Sequence, residues 1–426
     1  MEKAIGIEGF EGPVPAVVRR ILTRLKSAGF ETYIVGGAAR DMVMGREPAD
    51  WDFVTSAKPG EAGNLFPELT QFSLQHGTLT LMCEDKPYEV TSFRGISSTL
   101  EEDLAHRDFT INAMAWEADE GRVIDPFGGR QDVALRLVRA VGDPEQRFRE
   151  DPLRLMRAVR ISCDLGFSIH GETLDALCRM VDLLNGVAKE RIRDELLRVL
   201  IGENPSRGIK KMACTGLFER VFPELSVEGF GKGKRFGTAT DTVDRVASDP
   251  VLRLAAFFHS IQSPRAEKGR ETERANIAED AMRRLRFNER MICQVTHLLK
   301  QWSYGMMYDG SWDEGAVRRL VKRVGVEHLD PLFSLCRAEL HARGKDTALF
   351  SELVERARAN LKAGFAHRVE DLKIDGFRVM ETLKIKRGPE VGRVLEALLE
   401  DVLDHPDWNT EDRLVARLVE MARDPQ

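Results

Sequence analysis

The hydrophobic pattern of the chain changes character at about residue 143. Before that point, short apolar runs separated by glycine and proline predict strands at residues 33–35, 51–54, 78–83 and 88–93, after an amphipathic helix at residues 14–28. Beyond it, strand signals vanish and apolar residues recur with helical spacing. This order predicts an α+β fold, in which an α/β head is followed by an all-helical remainder.

Helical periodicity is repeated through the second part of the chain. It predicts helices at residues 152–165, 173–184, 189–201, 206–215, 251–261, 277–286, 289–300 and 391–403. Two polar segments interrupt it. Residues 226–240 are rich in glycine and are predicted to form a mobile loop at an internal boundary, and residues 264–276 are predicted to form a charged connection.

Composition narrows the class of protein. The chain of 426 residues is too long for a single domain with one hydrophobic core, so two to four domains are expected. No apolar run reaches the roughly 18 residues that a membrane span requires. The six cysteines are scattered and the N-terminus does not resemble a secretory signal, so we expect a cytoplasmic protein with reduced thiols. The net charge of −6 argues against a uniformly basic nucleic-acid binder but is compatible with local basic patches.

The first candidate for chemistry is the pair Gly36-Gly37, which follows the predicted strand at residues 33–35. A glycine turn that opens a helix presents free backbone N–H groups, which suit a phosphate. Arg40 lies one helical turn further on and is expected to bind the same anion. A simple tight turn is the alternative interpretation.

Carboxylates on the next two strands form the second candidate. Asp50 and Asp52 are two residues apart, and on a strand both side chains would point to one face. Close carboxylates repel each other unless a cation lies between them, and their oxygens suit Mg²⁺. Glu89, on the strand at residues 88–93, would complete the metal site or activate a hydroxyl nucleophile. A phosphate-binding turn at Gly36-Gly37 and a metal site at Asp50 and Asp52 together predict phosphoryl or nucleotidyl transfer. The alternative interpretation is that the acidic residues lie on solvent-exposed strand ends.

A third polar group lies in an apolar frame at residues 103–115. It contains Asp103, Arg107, Asp108 and Asn112. We expect Arg107 to contact a triphosphate, and Asp108 or Asn112 to contact a ribose hydroxyl. The alternative is a capped short helix with buried hydrogen bonds.

The predicted helix at residues 152–165 carries arginines along one side. Asp151 is expected at its positive end, and Arg154, Arg157 and Arg160 recur every three residues among apolar neighbours. A solvated helix face is the usual meaning of such spacing, but buried arginines need partners.

A nucleobase would supply such partners. Asp151 accepts a hydrogen bond and Arg154 donates one, which matches the edge of cytosine or adenine and rejects uracil and guanine. Arg157 and Arg160 would hold the base stack or phosphates.

Together these residues resemble the bacterial class II tRNA nucleotidyltransferases, the family of CCA-adding enzymes and poly(A) polymerases. The resemblance is strongest over residues 30–200 and resumes at residues 372–409. The matching segments are Gly36-Gly37 with Arg40, Asp50-x-Asp52, Arg107-Asp108-Phe109-Thr110-Ile111-Asn112-Ala113, Ile124-Asp125-Pro126-Phe127-Gly128-Gly129, Glu150-Asp151-x-x-Arg154, and Glu190-Arg191-Ile192 with Glu195.

The resemblance implies a polymerase-β-like nucleotidyltransferase head at residues 1–142, a helical neck that recognises the base at 143–205, a degenerate HD-like body at 206–330 and a tRNA-binding tail at 331–426. It further implies Mg²⁺ held by Asp50 and Asp52, CTP or ATP as substrate, and tRNA as partner through its acceptor and TΨC arms, with no role for DNA or a membrane. Lys384, Lys386 and Arg387 would contact tRNA phosphates.

Three departures from the family pattern refine this expectation. His106 stands where relatives often have an arginine, and His259 is followed by Ser260 rather than by the aspartate of an HD pair, so we expect no hydrolase site. The connection from Arg94 to Asp103 is short, whereas full CCA-adding relatives carry a longer flexible loop there. The short loop resembles the CC-adding subtype, which stops after two cytidines. CCA-adding, A-adding and poly(A)-adding enzymes stay open as alternatives, as does a non-catalytic relative that binds tRNA or nucleotide.

Overall fold

The protein divides into two compact units, Met1–Pro223 and Glu224–Gln426. The computed structural model describes residues 14–74, 77–95, 98–226, 234–259 and 270–423. Within those ranges, none of the helices is both long and apolar enough to cross a bilayer.

The first unit contains a seven-stranded sheet in its described part, with the strand order β3-β4-β5-β2-β1-β6-β7. Neighbouring strands pair antiparallel except for β2 and β5, which run parallel. The strands are β1 (Thr32–Val35), β2 (Asp52–Thr55), β3 (Thr70–Leu74), β4 (Thr78–Cys83), β5 (Lys86–Ser92), β6 (Ala115–Glu117) and β7 (Arg122–Ile124).

The helices of this unit lie before, between and after the strands, and 3-10 turns occur at Thr110–Asn112 and Val181–Gly186. The α-helices are α1 (Ala16–Ser27), α2 (Gly36–Val43), α3 (Pro59–Asn64), α4 (Leu100–Ala105), α5 (Gly129–Leu135), α6 (Pro144–Glu150), α7 (Arg154–Asp164), α8 (Gly171–Met180), α9 (Lys189–Ile201), α10 (Pro205–Thr215) and α11 (Leu217–Val221). The short helix α12 (Pro223–Ser226) follows them.

One core holds the sheet and helix α1 together. The apolar stripe of α1, which includes Ile21 and Leu25, is fully buried in the same cluster as Ile34 and Phe53 on the sheet. Residues that alternate along a strand reach one face, so the apolar set packs against α1 while polar groups at strand ends stay accessible. This core fixes the strand ends that carry the candidate site.

The second unit is helical throughout its described residues. Its helices are α13 (Lys234–Arg245), α14 (Pro250–Phe258), α15 (Arg270–Arg284), α16 (Glu289–Gly305), α17 (Glu314–Val324), α18 (Val326–Ala342), α19 (Ala348–Ala363), α20 (Gly376–Leu383), α21 (Pro389–Asp404) and α22 (Glu411–Arg423), with 3-10 turns at Val369–Asp371 and Pro406–Trp408. A separate apolar core joins α20, α21 and α22 through side chains such as Val379, Leu398 and Leu418.

The predicted α+β fold, a mixed sheet followed by helices, is confirmed. Two predicted connections are partly wrong. Residues 234–240 begin α13 and residues 270–276 begin α15, because apolar residues such as Phe236 and Ala275 recur at helical spacing and are buried. The rest of those two connections, residues 227–233 and 264–269, lies outside the described part of the chain.

Strand structure does not end at residue 143, contrary to the sequence prediction. Two-residue strands β8 (Leu137–Val138) and β9 (Ser168–Ile169) pair in parallel. Runs this short carry no periodic signal, so their pairing depends on tertiary contacts.

Candidate nucleotide and metal site

A glycine turn joins β1 to α2 at the centre of the sheet. Gly36 has φ +69°, a conformation that favours glycine, and it is the first residue of α2. A Cβ at this position would lie 3.0 Å from Nη1 of Arg107 and 3.4 Å from Oδ2 of Asp52. Glycine is therefore required both by the backbone and by the close approach of two charged side chains.

Two carboxylates are paired across neighbouring strands beside this turn. Asp52 opens β2 and stands directly opposite Glu89 in the parallel pairing with β5. Burial, followed by the negative charge of Glu89, raises the pKa of Asp52 to about 6, and Asp50 adds to the shift. The positive charge of Arg107 acts in the opposite direction. The structure thus brings together Asp52 and Glu89, which are distant in the sequence.

Asp50 does not lie on the strand, contrary to the sequence prediction. It occupies an exposed bend, and β2 begins at Asp52. The reason is that β1 ends at Val35, the partner of Asp52, where the chain turns into α2. Asp50 is close enough to raise the pKa of Asp52. Because Asp50 lies outside the strand, the alternation of side chains along β2 does not determine which way its side chain points.

These carboxylates fit a magnesium ion that is shared with substrate. Within the described ranges, no group of three or more His, Cys, Asp and Glu side chains forms a ready-made metal cage. Mg²⁺ is usually bound by one or two carboxylates together with substrate phosphates. The half-buried carboxylate of Asp52, beside a second negative charge, has the chemistry that such a cation would stabilise.

A hydrogen-bonded chain runs from α2 to α7. Arg40 donates to Oδ1 of Asn112 (2.9 Å), and Asn112 donates to Oδ1 of Asp108 (3.1 Å). Arg157 donates to Oδ2 of Asp108 through both Nε (2.8 Å) and Nη2 (2.5 Å). Residues predicted to bind phosphate and ribose separately are therefore connected to one another.

Asp108 is the buried centre of that chain. Its burial alone would raise its pKa, but the charge and hydrogen bonds of Arg157, with those of Asn112 and the Phe109 backbone, hold the pKa at about 2. In return, Asp108 raises the pKa of Arg157. Both groups stay ionised at neutral pH and form a fixed frame.

The arginine helix begins later than the sequence predicts. Helix α7 starts at Arg154, whereas Glu150 ends the preceding helix α6 and Asp151 lies between the two. Helix α6 begins with Asp143 as its cap and Pro144 in its first turn. It ends before Pro152, because a residue that precedes proline is disfavoured in the helical conformation, and Asp151 is extended (φ −145°, ψ 99°).

The two residues predicted to read the base have protein partners. Arg154 donates to the backbone carbonyls of His106 (2.7 Å) and Arg147 (3.2 Å), and to Glu150 (3.2 Å). Asp151 accepts from Arg191 (2.9 Å). Burial lowers the pKa of Arg154.

Glu195 on α9 holds the remaining arginines of α7. It is buried, accepts from Nε of Arg160 at 2.7 Å and lies 3.9 Å from Nη1 of Arg157. The sequence analysis expected that arginines on a buried helix need partners. Glu195 is such a partner for Arg160. We conclude that α9 stabilises the orientation of α7.

The predicted site omits two carboxylates that hold its arginines. Asp41 accepts from Arg40 at 2.9 and 2.7 Å, and Asp103, which is fully buried, accepts from Arg107 at 3.2 and 3.1 Å. The signal for Asp103 was its spacing, since an aspartate four residues before an arginine on a helix places the two side chains together.

Comparison with known proteins agrees with this geometry. Residues 32–139 match the family model of the poly A polymerase head domain, and residues 166–228 match the model described as the probable RNA and SrmB-binding site of polymerase A. The CCA-adding enzyme of Levilactobacillus brevis is 42% identical over 217 residues, which cover 48% of this chain and 54% of the relative. That of Bacillus licheniformis is 40% identical over 264 residues, covering 59% of this chain and 65% of the relative. The chain thus spans about half to two thirds of these relatives.

Solved structures extend the likeness over the remainder. The CCA-adding enzyme of Bacillus stearothermophilus in complex with CTP is 27% identical, with a TM-score of 0.73, and the match covers 95% of this chain and 96% of that one. The Thermotoga maritima CCA-adding enzyme complexed with tRNA shares the fold at 21% identity, with a TM-score of 0.64 and 96% coverage of each chain.

Proposed function

We propose, from the support that these comparisons give to the family of class II CCA-adding enzymes and poly(A) polymerases, that this chain adds CMP from CTP to the 3′ end of tRNA without a template and releases pyrophosphate. The observation that carries the proposal is the juxtaposition at one end of the sheet. Asp52 and Glu89 stand opposite each other, and the Gly36 turn and Arg107 approach the same point.

In this mechanism the protein positions two reactants. The N–H groups of the Gly36 turn, with Arg40 and Arg107, bind the triphosphate. Asp52 and Asp50 would hold magnesium, which would supply charge stabilisation for the attacking hydroxyl and the leaving pyrophosphate. Glu89, opposite Asp52, lies on the side where the hydroxyl is expected and assists its deprotonation.

Base selection is assigned to the start of α7. The Asp151 carboxylate and the Arg154 guanidinium present an acceptor and a donor, which complement cytosine or adenine. Arg191 and the carbonyl of His106 fix these two groups before the nucleotide arrives. A base with the reversed pattern would leave buried polar groups unpaired, which costs roughly 1–3 kcal/mol for each group.

The short connection after β5 favours CC addition over CCA addition. Gly95 has φ +100°, and a Cβ there would overlap the side chain of Glu102, so the chain just after the strand lies directly against α4. The family resemblance implies that full CCA-adding enzymes have a longer loop at this position. That loop helps to change the pocket from one that accepts cytosine to one that accepts adenine. CCA addition is the second candidate, because the relatives carry the name CCA-adding enzyme.

A product-length assay tests the proposal. Purified protein is incubated with tRNA that lacks its last three nucleotides, together with Mg²⁺ and CTP, ATP or both, and the products are resolved on a sequencing gel. We expect two added nucleotides with CTP, and no further addition when ATP is supplied.

Other products would identify the alternatives. Addition of AMP to the CC end would establish CCA addition, and long adenylate tails on RNA without tRNA structure would indicate a poly(A) polymerase. Addition of AMP only to tRNA that already ends in CC would indicate an A-adding enzyme. If no pyrophosphate is released with any nucleotide on either tRNA while tRNA still binds, the protein is a non-catalytic relative.

A further inference from the structure

Asp103 is a fully buried carboxylate that the proposed chemistry does not use directly. Its Oδ2 accepts hydrogen bonds from Nε and Nη2 of Arg107, at 3.2 and 3.1 Å. Its Oδ1 accepts from the backbone N–H of Arg94 at 3.3 Å. An isolated buried charge is costly, and these hydrogen bonds offset that cost for Asp103.

The contact leaves one end of the Arg107 guanidinium pointing at the glycine turn. In the described part of the chain Nη1 takes part in neither of the two bonds to Asp103, and it lies 3.0 Å from where a Cβ on Gly36 would sit. Oδ2 of Asp52 lies 3.4 Å from that same point. Nη1 therefore faces the place where the triphosphate meets the metal-binding carboxylate in the proposed mechanism.

We propose that Asp103 is a positioning residue that aims Arg107 at the triphosphate. This inference rests on the proposed function and names a further residue for it. Asp103 grips two of the three guanidinium nitrogens, so the plane of the group is fixed and Nη1 is directed over Gly36 before a nucleotide binds. Because the rotamer is already ordered, binding does not incur the cost of ordering a long side chain.

The same carboxylate ties this arrangement to the short connection. Through the N–H of Arg94, Asp103 is attached to the chain where it leaves β5, and Arg107 follows α4. Gly95, just after the strand, lies against the side chain of Glu102 on α4. Asp103 thus connects Arg107 to the backbone at the end of β5.

The test compares Asp103→Asn with the wild type. Asparagine keeps the shape and loses the charge. We expect the KM for CTP to rise roughly tenfold, in keeping with a lost charge-assisted hydrogen bond, while kcat and the KM for tRNA change less than about threefold. The dissociation constant of CTP, measured by titration calorimetry, should rise in parallel.

Two controls separate positioning from a structural role. In an Arg107→Ala background, Asp103→Asn should cause no further change in the KM for CTP, because in this proposal Asp103 affects CTP binding through Arg107, whereas its bond to Arg94 supports the fold. Asp132→Asn removes another buried carboxylate, which accepts from Arg139 at 3.0–3.2 Å, and it should lower the melting temperature without raising the KM for CTP.

An unchanged KM for CTP in Asp103→Asn, or an equal rise in the Arg107→Ala background, would overturn the proposal. Should Asp103→Asn fail to fold, Arg107→Lys tests the same contact. Lysine keeps the positive charge but lacks the planar guanidinium that Asp103 holds through two nitrogens, so the KM for CTP should rise. Absence of nucleotide addition by the wild type would refute the proposed function alone, since the calorimetric CTP affinity still decides the role of Asp103.

Discussion

Each of the two units contains a buried cluster of charged side chains, and the two clusters differ in the partners of their buried groups. In the first unit, Asp108 pairs with Arg157, whose side chain is 32% exposed, and the hydrogen-bonded chain continues to Arg40 on α2. In the second unit, the side chains of His259 and Glu339 are fully buried, with Nε2 and Oε1 3.7 Å apart, and Glu339 also pairs with Arg343, whose side chain is 41% exposed. A partner that reaches solvent therefore does not mark a site by itself, and what distinguishes the first cluster is its connection to α2, the helix that begins at the glycine turn beside Asp52.

The electrostatics of the two clusters follow from this difference. In the first, Arg157 overcomes the burial of Asp108 and keeps it ionised, at a pKa of about 2. In the second, burial lowers the pKa of His259 to about 3, so the imidazole is neutral at neutral pH. Burial also raises the pKa of Glu339, and the charge of Arg343 acts against that rise. The first cluster therefore offers fixed charges beside the glycine turn, whereas the neutral imidazole of His259 lies enclosed in the second unit.

The largest expected effect is that of Asp52→Asn. The variant keeps the size of the side chain but removes the charge that would hold magnesium, a loss of several kcal/mol at the transition state. CMP addition to tRNA should fall about a thousand-fold or more, measured as the initial rate of pyrophosphate release.

The matched control is Asp119→Asn, which removes an exposed carboxylate that pairs with Lys26. It should leave the rate within about twofold, since an exposed pair contributes roughly 0–1 kcal/mol to stability. Robust activity in Asp52→Asn would refute the metal assignment.

The next effect concerns stability in the first cluster. Asp108→Asn leaves the half-buried guanidinium of Arg157 without its main partner, and breaking such a pair costs about 3 kcal/mol or more. The melting transition at pH 7 should shift to lower temperature by calorimetry, whereas Asp119→Asn should hardly move it. A variant as stable as the wild type would mean that the frame contributes no stability.

Acid should reveal the same contribution in the wild type. The pKa of Asp108 is about 2 in the folded protein and 3.8 without structure, so it stabilises the fold above pH 4 and loses this contribution as the pH falls from about 4 to 2. The contribution is about 2 kcal/mol, and Asp108→Asn should flatten the curve of stability against pH in that window.

The smallest effect is expected from the enclosed pair. The folded pKa of His259 is about 3 and its ordinary value is 6.5, so its contribution to stability is present above pH 6.5 and is lost as the pH falls, by about 1.4 kcal/mol for each unit. His259→Gln should weaken the fall in melting temperature between pH 6.5 and 5, and should leave CMP addition at pH 7.5 within twofold. A loss of activity without a loss of stability would assign a chemical role to this pair.

The sequence predicted the elements with strong local signals and missed those that depend on distant contacts. The strand at Thr78–Cys83 and the helix at Lys189–Ile201 have the predicted bounds, because their apolar residues are regularly spaced. Strands β6 and β7 have three residues each and were not predicted. Segments this short are stabilised by their neighbours in the sheet, which a local pattern does not contain.

The residues of the candidate site also differ in whether a local signal or a distant contact determines them. Gly36 and Asp52 could be chosen because residue type and spacing carry the chemistry. The spacing also signals that Asp103 is the partner of Arg107, but partners that lie far away in the sequence could not be chosen in this way. Glu195 holds Arg160 from 35 residues away, and Asp108 holds Arg157 from 49, and these pairings follow from helix packing rather than from local spacing.

The parallel pairing of β2 with β5 also bears on how such a protein can change over evolution. The outer hairpin β3–β4 lies beyond β5 in the sheet, so insertions at its tip leave the ladder that carries Asp52 and Glu89 untouched. A single-residue insertion inside β5, by contrast, would turn Glu89 to the opposite side of the sheet. Changes in length are therefore expected to be tolerated better at this edge of the sheet than within the ladder that carries Asp52 and Glu89.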